Sequence, residues 1–482
     1  MRNTLAIVAV AATLSLNALA QDAKSVLANA TKAMGVDTLN SLTFSGSASL
    51  VNFGQAPTST GPWQGNLITN YVRSMTFGAQ MTSRATGIQL TPPITGGPPA
   101  PQPYNQNIPA TATAWAQQLE IHLTPWGFLK AAAANNATLA KPVPGSTYNV
   151  LSYITTQKAP SGLAYKVNGY VNKSTGMIDR VETWIEHPLF GDLQVENIYG
   201  DYRDFKGTKV PFKVQQRRGG DVIFDANIIN AESNPTNITE LMTPPAAANG
   251  KGGAAPPAAA APAAPLVTSE KIADGVYRIT GGYVAMAIEF KDFILVLEGP
   301  QSEARGLAVI AEAKKLIPNK PIRYVFNSHY HFDHSSGLAP FVAEGATIIT
   351  QENNVNYYTR ALTGPRTLAG DTLAKSPKKP KFMPVAELGQ VTDGTRTVEF
   401  HHIINMNHTN GMLIAYLPKE KLIFQADFTL PAAGQQPNEF VRALGPNLTR
   451  LKLDYNRFVP VHAPNPDVPW TKADVDAALA RP

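Results

Sequence analysis

The feature that most constrains this 482-residue chain is the run Asn327-Ser328-His329-Tyr330-His331-Phe332-Asp333-His334-Ser335-Ser336-Gly337. It follows Ile322-Arg323-Tyr324-Val325-Phe326, whose β-branched and aromatic residues predict a strand. His329 and His331 are two apart, so in an extended segment they point the same way. They can offer two imidazoles to one metal ion. Asp333 and His334 follow in the loop before an expected helix and can reach a second ion beside the first. Imidazole and carboxylate are the ligands zinc uses where thiolate is absent, and the chain has no Cys. The same absence excludes disulfides and a Cys nucleophile.

His-x-His-x-Asp-His is the signature of the metallo-β-lactamase superfamily, and the chain resembles that family from about Val267 to its end. Asn407-His408-Thr409-Asn410-Gly411 resembles the motif that supplies a third His to the first metal. Leu422-Ile423-Phe424-Gln425-Ala426-Asp427 resembles the strand that ends in a bridging carboxylate, and Val459-Pro460-Val461-His462 the motif that closes the second site. Carried over, the resemblance puts His329, His331 and His408 on one metal, Asp333, His334 and His462 on the other, and Asp427 between them. It implies a four-layer αββα sandwich with the site at one edge of its two sheets, so the expected fold class is α+β. Glu298 stands where the family commonly has Asp, as a structural support. Asn407 replaces a small residue before His408, and Ala463 a Gly after His462. Asp427 and the lack of Cys set the chain closer to glyoxalase-II-like thioesterases and lactonases than to zinc β-lactamases.

The resemblance implies two Zn2+ ions about 3.5–4 Å apart that share a water and lower its pKa. A metal-bridging hydroxide, oriented by Asp333, then attacks an ester, thioester, lactone, amide or phosphoester. No Gly-x-Ser-x-Gly motif points to a serine esterase. Iron is the main competitor to zinc: a mononuclear iron dioxygenase would use a subset of these ligands. A third reading is an apolar-ligand-binding periplasmic protein with a secondary metal domain. The remaining histidines, His122, His187, His401 and His402, are expected at structural or surface positions. Substrate-facing loops are expected at Tyr357-Tyr358-Thr359-Arg360 to Arg366, where the alternative is a packed helix, and at Pro431 to Pro437, next to Asp427.

Around this core, residues 1–20 read as a signal peptide. Arg2 precedes an apolar stretch from Leu5 to Leu16, and Ala18-Leu19-Ala20 is a cleavage site. A periplasmic or secreted protein without a retained spanning segment is expected. Residues 244–265, from Pro244-Pro245-Ala246 to Ala264-Pro265, form a Pro/Ala/Gly linker. It separates an N-terminal β-rich domain, 21–243, from the metal-binding domain, 266–482.

The front domain should open with a helix capped by Asp22, bury Val26, Leu27, Ala30 and Met34 on one face, and stop at Gly35. A second helix is expected at Trp126–Ala134, started by Thr124-Pro125. Strands are expected at Leu42–Val51, Ala164–Val171, Met177–Glu186, Leu193–Tyr199, Val210–Gln216 and Val222–Ile229, with a hairpin turn at Asn172–Gly176 and a loop at Thr91–Pro103. The initial helix and Tyr202-Arg203-Asp204-Phe205-Lys206-Gly207-Thr208-Lys209-Val210-Pro211, with Pro211 marking an edge, are similar to the LolA-type lipoprotein-carrier fold. That resemblance implies a concave sheet face able to hold an apolar group, the alternative being a structural or docking domain with no ligand. Where the face does hold a ligand, the front domain could present an amphiphilic small molecule to the metal site. The formal charge of +6 is spread without a dense basic block, so no nucleic-acid partner is expected.

Overall fold

The computed structural model describes residues 23–90, 101–244, 267–432, 434–464 and 467–481. The signal segment, Asp22 and nearly all of the linker lie outside them.

The front half is one eleven-stranded antiparallel sheet. Its order runs from the edge strand Pro101–Ile108 through Met81–Leu90, Asn66–Phe77, Ser41–Leu50, Asp221–Ser233, Thr208–Arg218, Gly191–Phe205, Ile178–His187, Ala164–Asn172 and Tyr148–Lys158 to Thr138–Leu139. The expected strands are all present. The expectation missed those at 66–77, 81–90, 101–108, 138–139 and 148–158, and Pro101–Ile108 shortens the expected 91–103 loop; 91–100 are not described. Pro211 does not mark a sheet edge, because its strand lies between two others. Pairing with Asp221–Ser233 runs only from Lys213 onward, so no partner there needs the missing N–H.

The opening helix spans 23–34, with Ala30 and Met34 buried and Gly35 at φ +67° ending it. Pro125–Ala134 is capped by Thr124, whose Oγ1 accepts from Gly127 N at 3.1 Å. A further helix, Trp115–His122, had no sequence signal strong enough to be read. Met34, Leu119, Trp126 and Phe128 from these helices join one core with the sheet residues Ile68, Val167, Val181 and Val195. The helices thus pack on the sheet through one shared apolar core.

The back half has two sheets. The first runs Thr268–Ala273, Val276–Thr280, Ala285–Glu289, Ile294–Leu297, Ile322–Phe326, Thr347–Gln351, Lys381–Val385, its last four strands parallel. The second runs Leu388–Thr392, Thr397–Ile403, Met412–Leu417, Leu422–Gln425, Arg457–Pro460, Trp470–Thr471. Alternation along the strands sorts their side chains into layers. Met286, Ile288, Leu295, Leu297 and Phe326 meet Phe400, Ile414 and Phe424 of the second sheet. Ala285, Ala287, Ile294, Val296 and Val325 face outward onto Val309, Ile310 and Ala313 of the helix Glu303–Leu316, and onto Phe341. Helices Glu439–Leu451 and Lys472–Leu479 cover the other side through Leu444 and Val475. The result is a four-layer αββα sandwich. Each fully buried large apolar side chain in it contributes about 1.5–3 kcal/mol.

Candidate metal centre

The strands of the sandwich end together along one edge, and four connections leave from there. Ile322–Phe326 runs into 327–331, Thr397–Ile403 into the loop with His408, Leu422–Gln425 into Asp427, and Arg457–Pro460 into His462. Phe332–Ser335 is a single helical turn, which swings Asp333 and His334 toward the same point as His329 and His331. Gly337 follows because the backbone of Gly299 and Pro300 lies against it; a Cβ there would sit 2.6 Å from Pro300 O.

All seven residues singled out in the sequence come together. Ligand atoms of His329, His331 and His408 lie within 4.8 Å of one another, as do those of His329, His334 and Asp427, and of Asp333, His334 and His462. Asp427 stands between the sets. Its Oδ2 is 3.2 Å from His329 Nε2 and 2.8 Å from His408 Nε2, and its Oδ1 is 3.1 Å from His334 Nε2 and 2.7 Å from His462 Nε2. Asp333 Oδ2 is 3.3 Å from His334 Nε2 and 3.7 Å from His462 Nε2.

Polar atoms so deep normally have hydrogen-bond partners. Yet His329 Nε2, His331 Nδ1 and Asp427 Oδ2 are buried without hydrogen-bond geometry, although His329 Nε2 and Asp427 Oδ2 stand close together. Among the described residues, no Lys or Arg forms an ion pair with Asp333, Asp427 or Glu298. Orphaned donor atoms converging among carboxylates that no Lys or Arg pairs fit divalent cations.

The supporting groups fix which nitrogens face inward. Glu298, fully buried at φ +74°, accepts from Asn327 Nδ2 at 2.9 Å and Ser328 Oγ at 2.6 Å, and lies 3.4 Å from His334 Nδ1. Ser328 Oγ in turn lies 3.1 Å from His329 Nδ1. Both histidines therefore carry their proton on Nδ1 and turn Nε2 to the centre. Tyr283 Oη donates to Asp333 Oδ2 at 3.2 Å, and its ring lies 4.3 Å from that of His462.

Burial pushes His329 well below the ordinary imidazole value and His331 down to about 3. Burial acts the same way on His334, but Asp427, Asp333 and Glu298 outweigh it and raise that imidazole. Burial would raise the Asp427 carboxyl, but His334 and His329 hold it well below the usual carboxylate range.

Residues 293–462 match the family model described as the metallo-beta-lactamase superfamily. The C-terminal half belongs to that superfamily. A curated relative, 2,4-dinitroanisole O-demethylase subunit alpha of Nocardioides sp. (strain JS1661), is 26% identical over 208 residues, which are 41% of this chain and 58% of the relative. The chain thus spans little more than half the length of that relative. Among solved structures, a metallo-beta-lactamase from Pontibacter korlensis aligns with TM-score 0.34 and 14% identity over 45% of this chain and 98% of its own. The flavodiiron protein from Giardia intestinalis aligns with TM-score 0.34 and 15% identity over 45% of this chain and 58% of its own.

Within this superfamily domain and the front half, the remaining histidines fall outside the cluster. His122 pairs with Tyr153 Oη at 2.8 Å, His187 Nδ1 accepts from Leu189 and Phe190 N at 3.2 Å, His401 contacts Glu399 at 2.9 Å, and His402 donates to Asn410 O at 3.0 Å. The expected rim at Tyr357–Arg366 is instead the packed helix Val355–Thr363 and the loop after it. Tyr357 and Tyr358 are buried, and Tyr358 Oη bonds to Asn327 Oδ1 and, at 3.2 Å, to His329 O. At the other expected rim, Pro431 and Ala432 carbonyls accept from Arg481, and just beyond Pro437 the Phe440 ring lies 4.6 Å from His408.

Sequence reading missed Tyr283, Phe440 and the segment Gly54–Thr58. That segment, from the front sheet, sits against the metal loop. Gln55 Nε2 donates to Asp333 Oδ1 at 2.8 Å, and Ala56 O accepts from His331 Nε2 at 2.9 Å. No spacing rule joins positions so distant in the chain.

Proposed function

We propose that this chain is an exported, zinc-dependent hydrolase. Asp427, with one carboxylate oxygen toward each histidine group, carries the reading, because a single ion would leave one oxygen unused. His329, His331 and His408 would hold one Zn2+, and Asp333, His334 and His462 the other. Zinc pairs of this kind draw a nucleophile from water and polarise a carbonyl or phosphoryl oxygen. Asp333, whose Oδ2 accepts from Tyr283 Oη at 3.2 Å, would hold the second ion and orient the attacking water. Glu298 and Ser328 keep His334 and His329 in the tautomers that ligation needs.

The side chains of Asp333, His462 and His408 are 32%, 31% and 18% exposed, whereas those of His329 and His334 are fully buried. The substrate therefore approaches from that side, between Tyr283 and Phe440, two aromatic walls suited to a small molecule with an apolar part. Export rests on the N-terminal segment. Among the described residues no helix is long and apolar enough to cross a membrane.

The test is a panel of lactones, thioesters, β-lactams and phosphodiesters, with an aryl methyl ether added because the curated relative is an O-demethylase subunit. Elemental analysis of protein purified without added metal separates zinc from iron. Hydrolysis by the zinc-loaded protein is expected, with loss of activity in the double variant His329→Ala, Asp333→Ala. Activity that survives that pair of changes overturns the proposal.

A further inference from the structure

The loop between Ser41–Leu50 and Asn66–Phe77 leaves the front sheet and reaches across to the metal loop. Besides the bonds of Gln55 and Ala56, Gly54 O accepts from Phe332 N at 3.2 Å, Thr58 O from Tyr330 Oη at 2.7 Å, and Pro57 O from Asn410 N at 2.9 Å. Phe53 meets Phe332 edge-on at 5.3 Å. Gly54 adopts φ +78°, and a Cβ there would lie 2.2 Å from the Phe332 ring, so only glycine lets the two segments approach this closely.

These contacts fall on the ligands themselves. The Ala56 carbonyl takes the proton on His331 Nε2, which leaves Nδ1 as the bare nitrogen, and Nδ1 is the buried atom without a partner. Gln55 holds Asp333 Oδ1, so Oδ2 is the oxygen turned toward His334 and His462. We propose that the Gly54–Thr58 segment of the front domain is a working part of the metal centre, with Gln55 a positioning residue for the ion at Asp333, His334 and His462. The inference rests on the metal-centre reading above. The front domain then sets metal affinity through the outer hydrogen bonds of two ligands, contacts of a kind whose loss costs about 10–100-fold in affinity.

The experiment uses the full chain. Wild type, Gln55→Leu, Gly54→Ala and the exposed-loop control Thr60→Ala are titrated with zinc against a chromophoric chelator. Cobalt(II) absorption spectra are recorded at one and two equivalents, and melting temperatures are measured without metal. Gln55→Leu is expected to weaken the second equivalent by about 10–100-fold and to alter only the two-equivalent cobalt spectrum, with the metal-free melting temperature unchanged. Gly54→Ala is expected to weaken both equivalents, and Thr60→Ala neither. Unchanged affinities and spectra in Gln55→Leu overturn the inference, as does a loss of both equivalents together with a fall in metal-free melting temperature. A wild type that takes up no metal instead sinks the hydrolase reading, so the two failures are told apart.

Discussion

At the scale of single residues, Glu298 shows what a motif conveys and what it leaves out. Its position after a strand is readable as a support site, but its donors are not. In the fold, its carboxylate joins Asn327, Ser328 and His334 at full burial, with no Lys or Arg partner among the described residues. Glu298→Gln keeps the shape but presents an amide N–H where Ser328 or His334 must donate. Zinc affinity is expected to fall by about 10–100-fold, read by chelator competition. Stability of the metal-free protein should fall by about 1–3 kcal/mol, read by denaturant titration. Unchanged zinc affinity would show that His334 is oriented without it. The ligands themselves were legible because each lies in a short motif of unusual composition. Gln55 was not, since an isolated Gln in a polar loop carries no pattern.

At the scale of elements, amphipathic and apolar runs were readable and polar strands were not. Pro101–Ile108 contains Pro, Gln and Asn and lies at the sheet edge, where proline is tolerated and polar side chains guard against further pairing. Its place comes from its neighbour Met81–Leu90 rather than from its own propensity. The helix Val355–Thr363 errs the other way: its tyrosines suggested substrate contact, but they are aimed inward, behind the metal loop. Tyr358→Phe would leave Asn327 Oδ1 without that donor in a buried setting. The expected cost is about 1–3 kcal/mol of stability, measured by equilibrium unfolding, with zinc stoichiometry retained. A variant as stable as wild type would mean the hydroxyl serves some end other than holding Asn327.

At the scale of the whole molecule, the two halves are joined by more than their linker. Arg366 pairs with Asp371 and donates to Leu189 O at 2.9 Å and Pro188 O at 2.6 Å, while Asp192 accepts from Thr367 N at 3.0 Å. Beside this clamp, His187 lies 4.5 Å from the Phe332 ring and 5.4 Å from Phe190, in the aromatic seam that backs the metal loop. Burial, with Arg218 and Arg366 adding to it, lowers the His187 pKa from 6.5 to about 3. Over that interval the unfolded chain binds a proton at this position and the folded one does not. The site's contribution is therefore fully present above about pH 6.5 and is lost as pH falls toward 3. His187→Asn removes the titrating ring and places a carbonyl oxygen near Nδ1, where Leu189 and Phe190 N–H can still donate. In metal-free protein the variant is expected to melt below wild type at pH 7, because ring packing is lost, and the gap should close by pH 4.5. Melting temperatures across that range decide it. A gap of constant size would mean that His187 charges without penalty and that the seam is open to water.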